Sequence, residues 1–442
     1  MLEQILIVTI DGEEIKPEAL EVFEFNNDIK TSLPTLHLSI KDPRGDLWSK
    51  LRFSIGSKIV PFILSGKGQT AKINLTSFVI TKMFNGLEFE NRTLGGYIQI
   101  WAEQSWRLYS NFSDHAYEKK KLSETIYTVC KEAIDKADII VREDDFEKSL
   151  DSGSIRYKVA ISDLDFIEKK LLPYTLIGTS NSLFFVDQYG FVTLSSFSKL
   201  FSKKPKKLLT VDENVISYIV SAGKDNELAQ YMQQKDLKGY ICCKIGASNI
   251  GSLSNTLEMV GQLNEKLYIH NNQTEEVYLG WQSPEVKAGA NTQTAKMSYT
   301  PIKNRLIASS DATSAHIFEH LPFEDQVSLS RNNDIAVNDL LSLVVGFAGF
   351  DESITVGSTV DFWVPSTEEV IEEYDEEGKY TPKPTKPKKH WISGRWLVSK
   401  ITINKTDIKN AATTLKLIKP TFTLNTKNTT LDDYRTFYSA IA

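Results

Sequence analysis

One segment of the chain has residue types and spacing that could do metal chemistry: His316-Ile317-Phe318-Glu319-His320. It matches HxxEH. On a helix its two histidines stand at i and i+4 on one face, where they can share a zinc ion, with Glu319 as the general base for a bound water. His316 and His320 are therefore the candidate ligands of a hydrolase or metallopeptidase. Two features argue against that use. Pro322 ends the helix at the site, and no acidic helix follows at a distance suited to a third ligand. Two ordinary histidines near a helix end, where imidazolium suits the helix dipole, account for the segment more simply. We expect no catalytic residue, no metal and no cofactor.

The other chemistry-bearing residues form no constellation. GxSxG, GxxxxGK[ST] and GxGxxG are absent, and His37, His115, His270 and His390 are scattered. Glu24, Glu88 and Glu90 lie on β-like segments and read as a solvated face. A carboxylate pair for glycoside hydrolysis is defined by separation in space, which spacing along a chain does not carry. Of the three cysteines, Cys130, Cys242 and Cys243, the vicinal pair sits in the apolar stretch GYICCKI. Small buried residues in a strand, kept as reduced thiols, fit it better than a metal site, which wants CxxC-type spacing. Lys203-Lys204-Pro205-Lys206-Lys207 reads as a solvated basic hinge, with contact to DNA or an anionic surface the lesser reading. Exposed aromatics such as Trp281 leave glycan or receptor binding as a further alternative.

A net charge of −6 speaks against general nucleic-acid binding, which needs a basic stripe. With 41% hydrophobic and 24% charged residues, the composition is that of a soluble globular protein. At ~150 residues per domain, 442 residues call for two to four domains. No apolar run approaches the roughly 18 residues of a membrane helix. The start, MLEQILIVTI, alternates like a strand and lacks the basic, continuously apolar pattern of a signal peptide. No membrane span is expected.

The elements that must position these residues are mostly strands. Alternation marks strands at 5–10 and 35–40, and 59–64, 74–81 and 96–102 read as further strands, separated by turn chemistry such as Asp11-Gly12. Ile126, Val129, Cys130 and Ile134 form the stripe of an amphipathic helix with Ser123 as N-cap. A second helix spans 162–172, with Ser162 as cap and Pro173 past its end. Strands at 182–186 and 191–194 flank a tight turn at Asp187-Gln188-Tyr189-Gly190. Beyond the hinge, 214–222 reads as a strand and 254–268 as a helix. The β pattern returns from Glu324, with strands at 356–364, 395–403 and 412–418. Residues 366–389 are an acidic run followed by a basic, Pro-rich one, and read as an exposed loop.

The two ends resemble each other. Gly56-Ser57-Lys58-Ile59-Val60-Pro61-Phe62 matches Gly357-Ser358-Thr359-Val360-Asp361-Phe362. Phe78-Val79-Ile80-Thr81-Lys82 matches Trp396-Leu397-Val398-Ser399-Lys400. Gly96-Tyr97-Ile98-Gln99-Ile100 matches 412–417, with Tyr97 against Thr414. A duplicated β-domain would let one chain fill two equivalent positions in a ring.

Taken together the chain resembles the baseplate hub protein of contractile-tailed bacteriophages, related to the N-terminal region of type VI secretion spike proteins. The resemblance rests on Asp163-Leu164-Asp165-Phe166-Ile167 opening a helix, on SLFFVDQYGFVTL at 182–194, and on the strands from Gly357 and Gly394. It implies a β-rich α+β fold in which two tail-tube-like antiparallel β-barrel or sandwich domains flank an inserted α+β region. Residues 1–105 would be the first tube-like domain, 106–206 the insertion, and 207–232 the first strand or strands of the second domain. The insertion would continue over 233–320. Residues 321–420 would complete the second domain, with 366–389 as its charged loop and 421–442 as a C-terminal arm. The resemblance also implies a structural virion protein: a homotrimer joining the tail tube protein to the central spike, among other baseplate proteins. It would be assembled in the host cytoplasm and sit in the tail baseplate of the virion. DNA would pass transiently through its lumen without stable binding.

Overall fold

The computed structural model describes residues 4–42, 54–65, 71–90, 93–109, 112–149, 153–177, 180–210, 232–233, 237, 239–249, 268–271, 276–279, 342–363, 393–405 and 411–419. The first part is all strand: β1 Gln4–Ile10, β2 Glu13–Ile15, β3 Leu20–Asp28, β4 Thr35–Lys41, β5 Lys58–Ser65, β6 Ala71–Asn74, β7 Phe78–Glu90 and β8 Thr93–Gln104. A mixed segment follows, with α1 Trp106–Tyr109, β9 His115–Lys120, α2 Leu122–Ala137, β10 Ile140–Phe146, β11 Ser154–Lys158 and α3 Asp163–Phe166. It continues with β12 Leu176–Ile177, β13 Ser180–Val186, β14 Phe191–Ser196 and α4 Phe197–Ser202. The last part holds β15 Leu208–Thr210, β16 Tyr240–Cys242, β17 Lys244–Asn249, β18 Tyr268–Asn271, β19 Glu276–Leu279, β20 Ser342–Ala348, β21 Thr359–Trp363, β22 Gly394–Lys405 and β23 Ala411–Ile418.

Both ends of the chain contribute to one curled, mainly antiparallel sheet of 15 strands. Its main path runs β16-β15-β21-β22-β3-β4-β8-β7-β5-β1-β2, and β23, β20 and β17 branch from β22. β17 and β16 thus belong to this sheet although they fall within 233–320. Alternation explains the layering. In β4, Leu36, Leu38 and Ile40 are buried, while Thr35 and Lys41 on the other face are exposed. One continuous core joins the two ends, from Leu6 and Phe25 to Phe362 and Leu417. A second core lies in the mixed segment, where Ile126, Val129 and Cys130 of α2 meet Phe184 and Val192 of the β13–β14 hairpin. Among the described residues no helix is long and apolar enough to cross a membrane.

Local details depart from the sequence reading at the helix ends. α2 starts two residues early, with Lys121 rather than Ser123 in the N-cap position. The Glu124 carboxylate accepts the Lys121 N–H at 3.1 Å, and the buried Ser123 hydroxyl instead accepts the Ser149 N–H at 3.0 Å. Ser162 does cap α3, accepting from the Asp165 N–H. Regular α geometry stops at Phe166, and the chain continues as a π turn and a 3-10 turn containing Pro173. The strand expected at 214–222 lies outside the described residues, as does all of the 254–268 helix except Tyr268, which begins β18. The same holds for the loop 366–389, the arm 421–442, Trp281, and the segment from His316 to His320.

The β13–β14 turn is the wedge that holds the two ends of the large sheet against the mixed segment. Asp187 shapes it: its carboxylate accepts the N–H groups of Tyr189 at 2.8 Å and Phe191 at 3.0 Å. Gln188 accepts the Thr76 N–H at 2.8 Å through its carbonyl, and its side chain donates to Ile354 O at 2.7 Å. Tyr189 donates to Glu352 O at 3.0 Å. Behind the turn, Gly357 lies at φ +74°, and a Cβ there would fall 2.5 Å from the Phe185 ring. Burial pushes the Asp187 carboxyl up to about 6, with Asp145 adding to the rise and the Phe191, Tyr189 and Gly190 N–H groups opposing it. The folded chain therefore holds this proton more firmly than the unfolded chain, whose carboxyl lies near 3.8. The resulting stability is fully present below pH ~4 and is lost as pH rises through ~6. Asp187→Asn keeps the accepting oxygen and removes the charge. It should raise stability at neutral pH by on the order of 2–3 kcal/mol and flatten the pH dependence between pH ~4 and ~6, as read by urea unfolding across that range.

Candidate functional site

Five strands of the first part, in the order β5-β7-β8-β4-β3, have counterparts in the last, β21-β22-β23-β20-β17. Chain order is the same in both sets, and every pairing is antiparallel. The correspondence extends to single hydrogen bonds. Gly56 and Gly357 both have positive φ, at +94° and +74°. The Ser57 hydroxyl accepts the Ser54 N–H at 3.1 Å, and the Ser358 hydroxyl accepts the Thr355 N–H at 3.2 Å. Gly56 donates to Ile80 O at 2.8 Å, and Gly357 to Val398 O at 2.9 Å. Lys58 faces Val79 as Thr359 faces Leu397. Each long strand then carries a bulge at the matching residue, Thr81 in β7 and Ser399 in β22.

The third sequence match needs correction by two residues. Lys82 pairs with Trp101 and Lys400 with Lys416, so Tyr97 corresponds to Ala412 and not to Thr414. The β22–β23 hairpin is three residues shorter than β7–β8. A shift of two keeps every side chain on its own face, so alternation alone could not reveal it.

The bulge decides what lies beside the long strand. Before Ser399, one edge of β22 pairs with β21; after it, the same edge pairs with β3. In this seam Lys400 faces Asp28, Ile401 faces Asn27, Thr402 faces Asn26 and Ile403 faces Phe25. The Thr402 hydroxyl donates to Asn26 Oδ1 at 2.9 Å, and Ile29 N–H donates to Ser399 O at 2.9 Å. Burial holds the Asp28 carboxyl above its usual range, against the pull of Lys30, Lys400 and Lys416.

The equivalent seam elements at the two ends of this array have no strand beside them among the described residues. β7 beyond Thr81 pairs only with β8, and β17 pairs only with β20. Exposure follows this difference. Phe23 of β3 is 1% exposed, while Ile245, its counterpart in β17, is 44% exposed. Ile401 is buried in the seam, whereas Met83, its counterpart in β7, is only partly buried and the neighbouring Phe84 is 52% exposed. Among the described residues these are the candidate functional edges: one joint that is filled, and two matching edges with no strand beside them.

Sequence reasoning placed candidate chemistry at His316, Glu319 and His320, which lie outside the described residues. It missed β3, β17 and β20, the strands that make or border the joint.

No protein-family model matches the sequence, and no curated protein does. Solved structures of tail proteins are similar to the chain over nearly its whole length. The 43 kDa tail protein of prophage MuSo2 from Shewanella oneidensis aligns with a TM-score of 0.48 at 8% identity, covering 94% of this chain and 98% of that one. A tail protein from Neisseria meningitidis aligns at 0.44 and 8%, covering 94% and 96%. An E. coli type VI secretion component, described as structurally similar to T4 bacteriophage tail proteins, aligns at 0.41 and 8%, covering 93% and 76%.

The filled and unfilled joints should respond differently to truncation. Ile401→Ala should cost about 2–4 kcal/mol in urea unfolding of the dilute chain, and Met83→Ala about 1 kcal/mol. Repeating the measurement at high protein concentration should raise the Met83→Ala cost toward the other value if the open edge becomes covered.

Proposed function

We propose that the chain is a structural tail protein: a baseplate hub subunit that closes, as a homotrimer, into a ring between the tail tube and the central spike. The observation that supports this reading is the β3–β22 joint together with its two vacant halves. An exposed strand edge is a template for pairing, and proteins normally blunt it. Here each open edge is the shape the other needs, because the chain has already made the same joint within itself.

In this reading the two matching strand sets are copies of one tube-like domain, with the mixed segment inserted between them. Each chain brings eight wall strands, in the order β7-β8-β4-β3-β22-β23-β20-β17. β17 of one copy pairs with β7 of the next, and the register follows from the internal joint. Asn249, the counterpart of Asn26, faces Phe84, the counterpart of Thr402; Ser248 faces Asn85, and Ala247 faces Gly86. Three copies close a barrel of twenty-four strands. At ~4.8 Å between strands the wall is roughly 37 Å across before tilt widens it. Barrels of 16–18 strands already enclose water, so this one leaves an open channel. The number three and the partners come from the family resemblance: tail tube protein on one face, spike on the other, other baseplate proteins around, DNA in transit through the lumen. The role is mechanical rather than enzymatic, and its place is the virion tail baseplate, after assembly in the host cytoplasm.

Thr402 and Asn26 touch across the internal joint, so cysteines at the matching positions should meet across the external one. The double variant Phe84→Cys/Asn249→Cys should give covalent trimers on oxidation, seen as a single trimeric species on a non-reducing gel, and either single variant should not. Light scattering of the untreated chain should report the same trimer. A chain that stays monomeric, or that cross-links only to dimers, rules the ring out.

A further inference from the structure

We propose that Lys82 and Lys400 together form a collar of six lysines inside the ring, which makes transient contacts with the phosphate backbone of duplex DNA. The inference rests on the ring reading and adds a binding surface to it.

The two lysines occupy the same place in the two strand sets, immediately after the Thr81 and Ser399 bulges. Both lie on the face of the wall turned away from the core. Lys82 is exposed there and is followed on the same face by Phe84, while Met83 between them packs on the core. In the ring, equivalent positions stand at one height. Lys82 and Lys400 then alternate around the channel, four strand steps or ~19 Å of wall apart.

The surroundings leave these cations available. Lys82 lies over the Trp101 ring at 4.9 Å, and Trp101 stacks on His37 at 5.0 Å. That stack holds the ammonium over an aromatic face. Lys400 has Lys416 directly across one strand pair and Asp28 across the other. Two carboxylates of the neighbouring strands are paired with other cations, Glu21 with Lys41 at 3.1 Å and Glu103 with Arg107 at 2.7 Å, while Glu24 accepts from Asn26 at 2.8 Å and keeps its charge. Lys82 and Lys400, with Lys416 beside the second, form a narrow cationic band on this face. Duplex DNA presents one negative charge per ~1.7 Å of axis, so a collar of point charges always has phosphates within reach, whatever the sequence. Such contact is salt-sensitive and suits a guide along which DNA slides.

The test uses rings locked by the Phe84→Cys/Asn249→Cys disulfide and verified as trimers by light scattering, with a fluorescent linear duplex and a covalently closed circle as probes. Locked rings should bind the linear duplex at low salt and leave the closed circle, which cannot thread, unbound. Adding Lys82→Gln and Lys400→Gln should keep the trimer, weaken linear-duplex binding by at least about tenfold and flatten the salt dependence by several units of log–log slope. Trimeric rings that bind no linear duplex, bind it equally well without the lysines, or bind the closed circle equally well overturn the collar alone. Failure to form trimers overturns the ring, and the collar with it.

Discussion

A β-strand has two edges, and every N–H and C=O along them needs a partner. The architecture here is governed by how one long strand divides its second edge. β22 gives the stretch before Ser399 to β21, within its own strand set, and the stretch after it to β3, from the other end of the chain. The bulge makes the division possible: it bends the strand and ends one ladder where the next can start. Ile29 N–H, at the end of β3, donates to the carbonyl of the bulged residue itself. The same bulge in β7 ends pairing with β5, and among the described residues no strand pairs with the edge beyond it. A device that solves the edge problem once, inside the chain, leaves it unsolved at the two flanks among the described residues.

How much of this was legible depended on the kind of signal. The Gly-Ser turns stood out because positive φ restricts the residue choice, and Gly56 and Gly357 are those positions. The tight turn at Asp187 was legible for the same reason, through Gly190 at φ +90°. β3 was not, although Phe23 and Phe25 are deep in the core. A register shift between Leu20 and Val22 breaks the alternation at its start, and Asn27, fully buried, breaks it at its end. β17, with the sequence KIGASN, carries too few apolar residues to show a pattern. The strands that make or border the joint were therefore the least readable part of the sequence.

Position in the wall also decides the fate of matching residues. Phe23 and Ile245 are apolar counterparts, yet one is enclosed and the other open. Trp101 and Lys416 are counterparts that differ in kind: the first stacks on His37, and the second faces Lys400 beside Asp28. The two strand sets thus share a backbone and diverge on the solvent face. The proposed ring of alternating, non-identical units would require this, because backbone pairing would set the closure while side chains would remain free to differentiate the lumen.

In the proposed ring, the internal joint and the external ones would share a geometry and differ in their entropy. The β3–β22 joint forms between segments of one chain, so its closure costs only chain entropy, which grows slowly with loop length. The first external joint must also offset the loss of translation and rotation on association, several kcal/mol at the usual standard state. Once two copies are joined, the third bridges both remaining edges, and its second contact is intramolecular with a high effective concentration. Assembly by this proposed route would pass through few dimers, and the closed ring would be the first state in which neither of these edges is bare. The stability of such a ring would depend on closure more than on the strength of any one ladder, so that a modest apolar contribution from residues such as Ile245 and Phe84 would suffice.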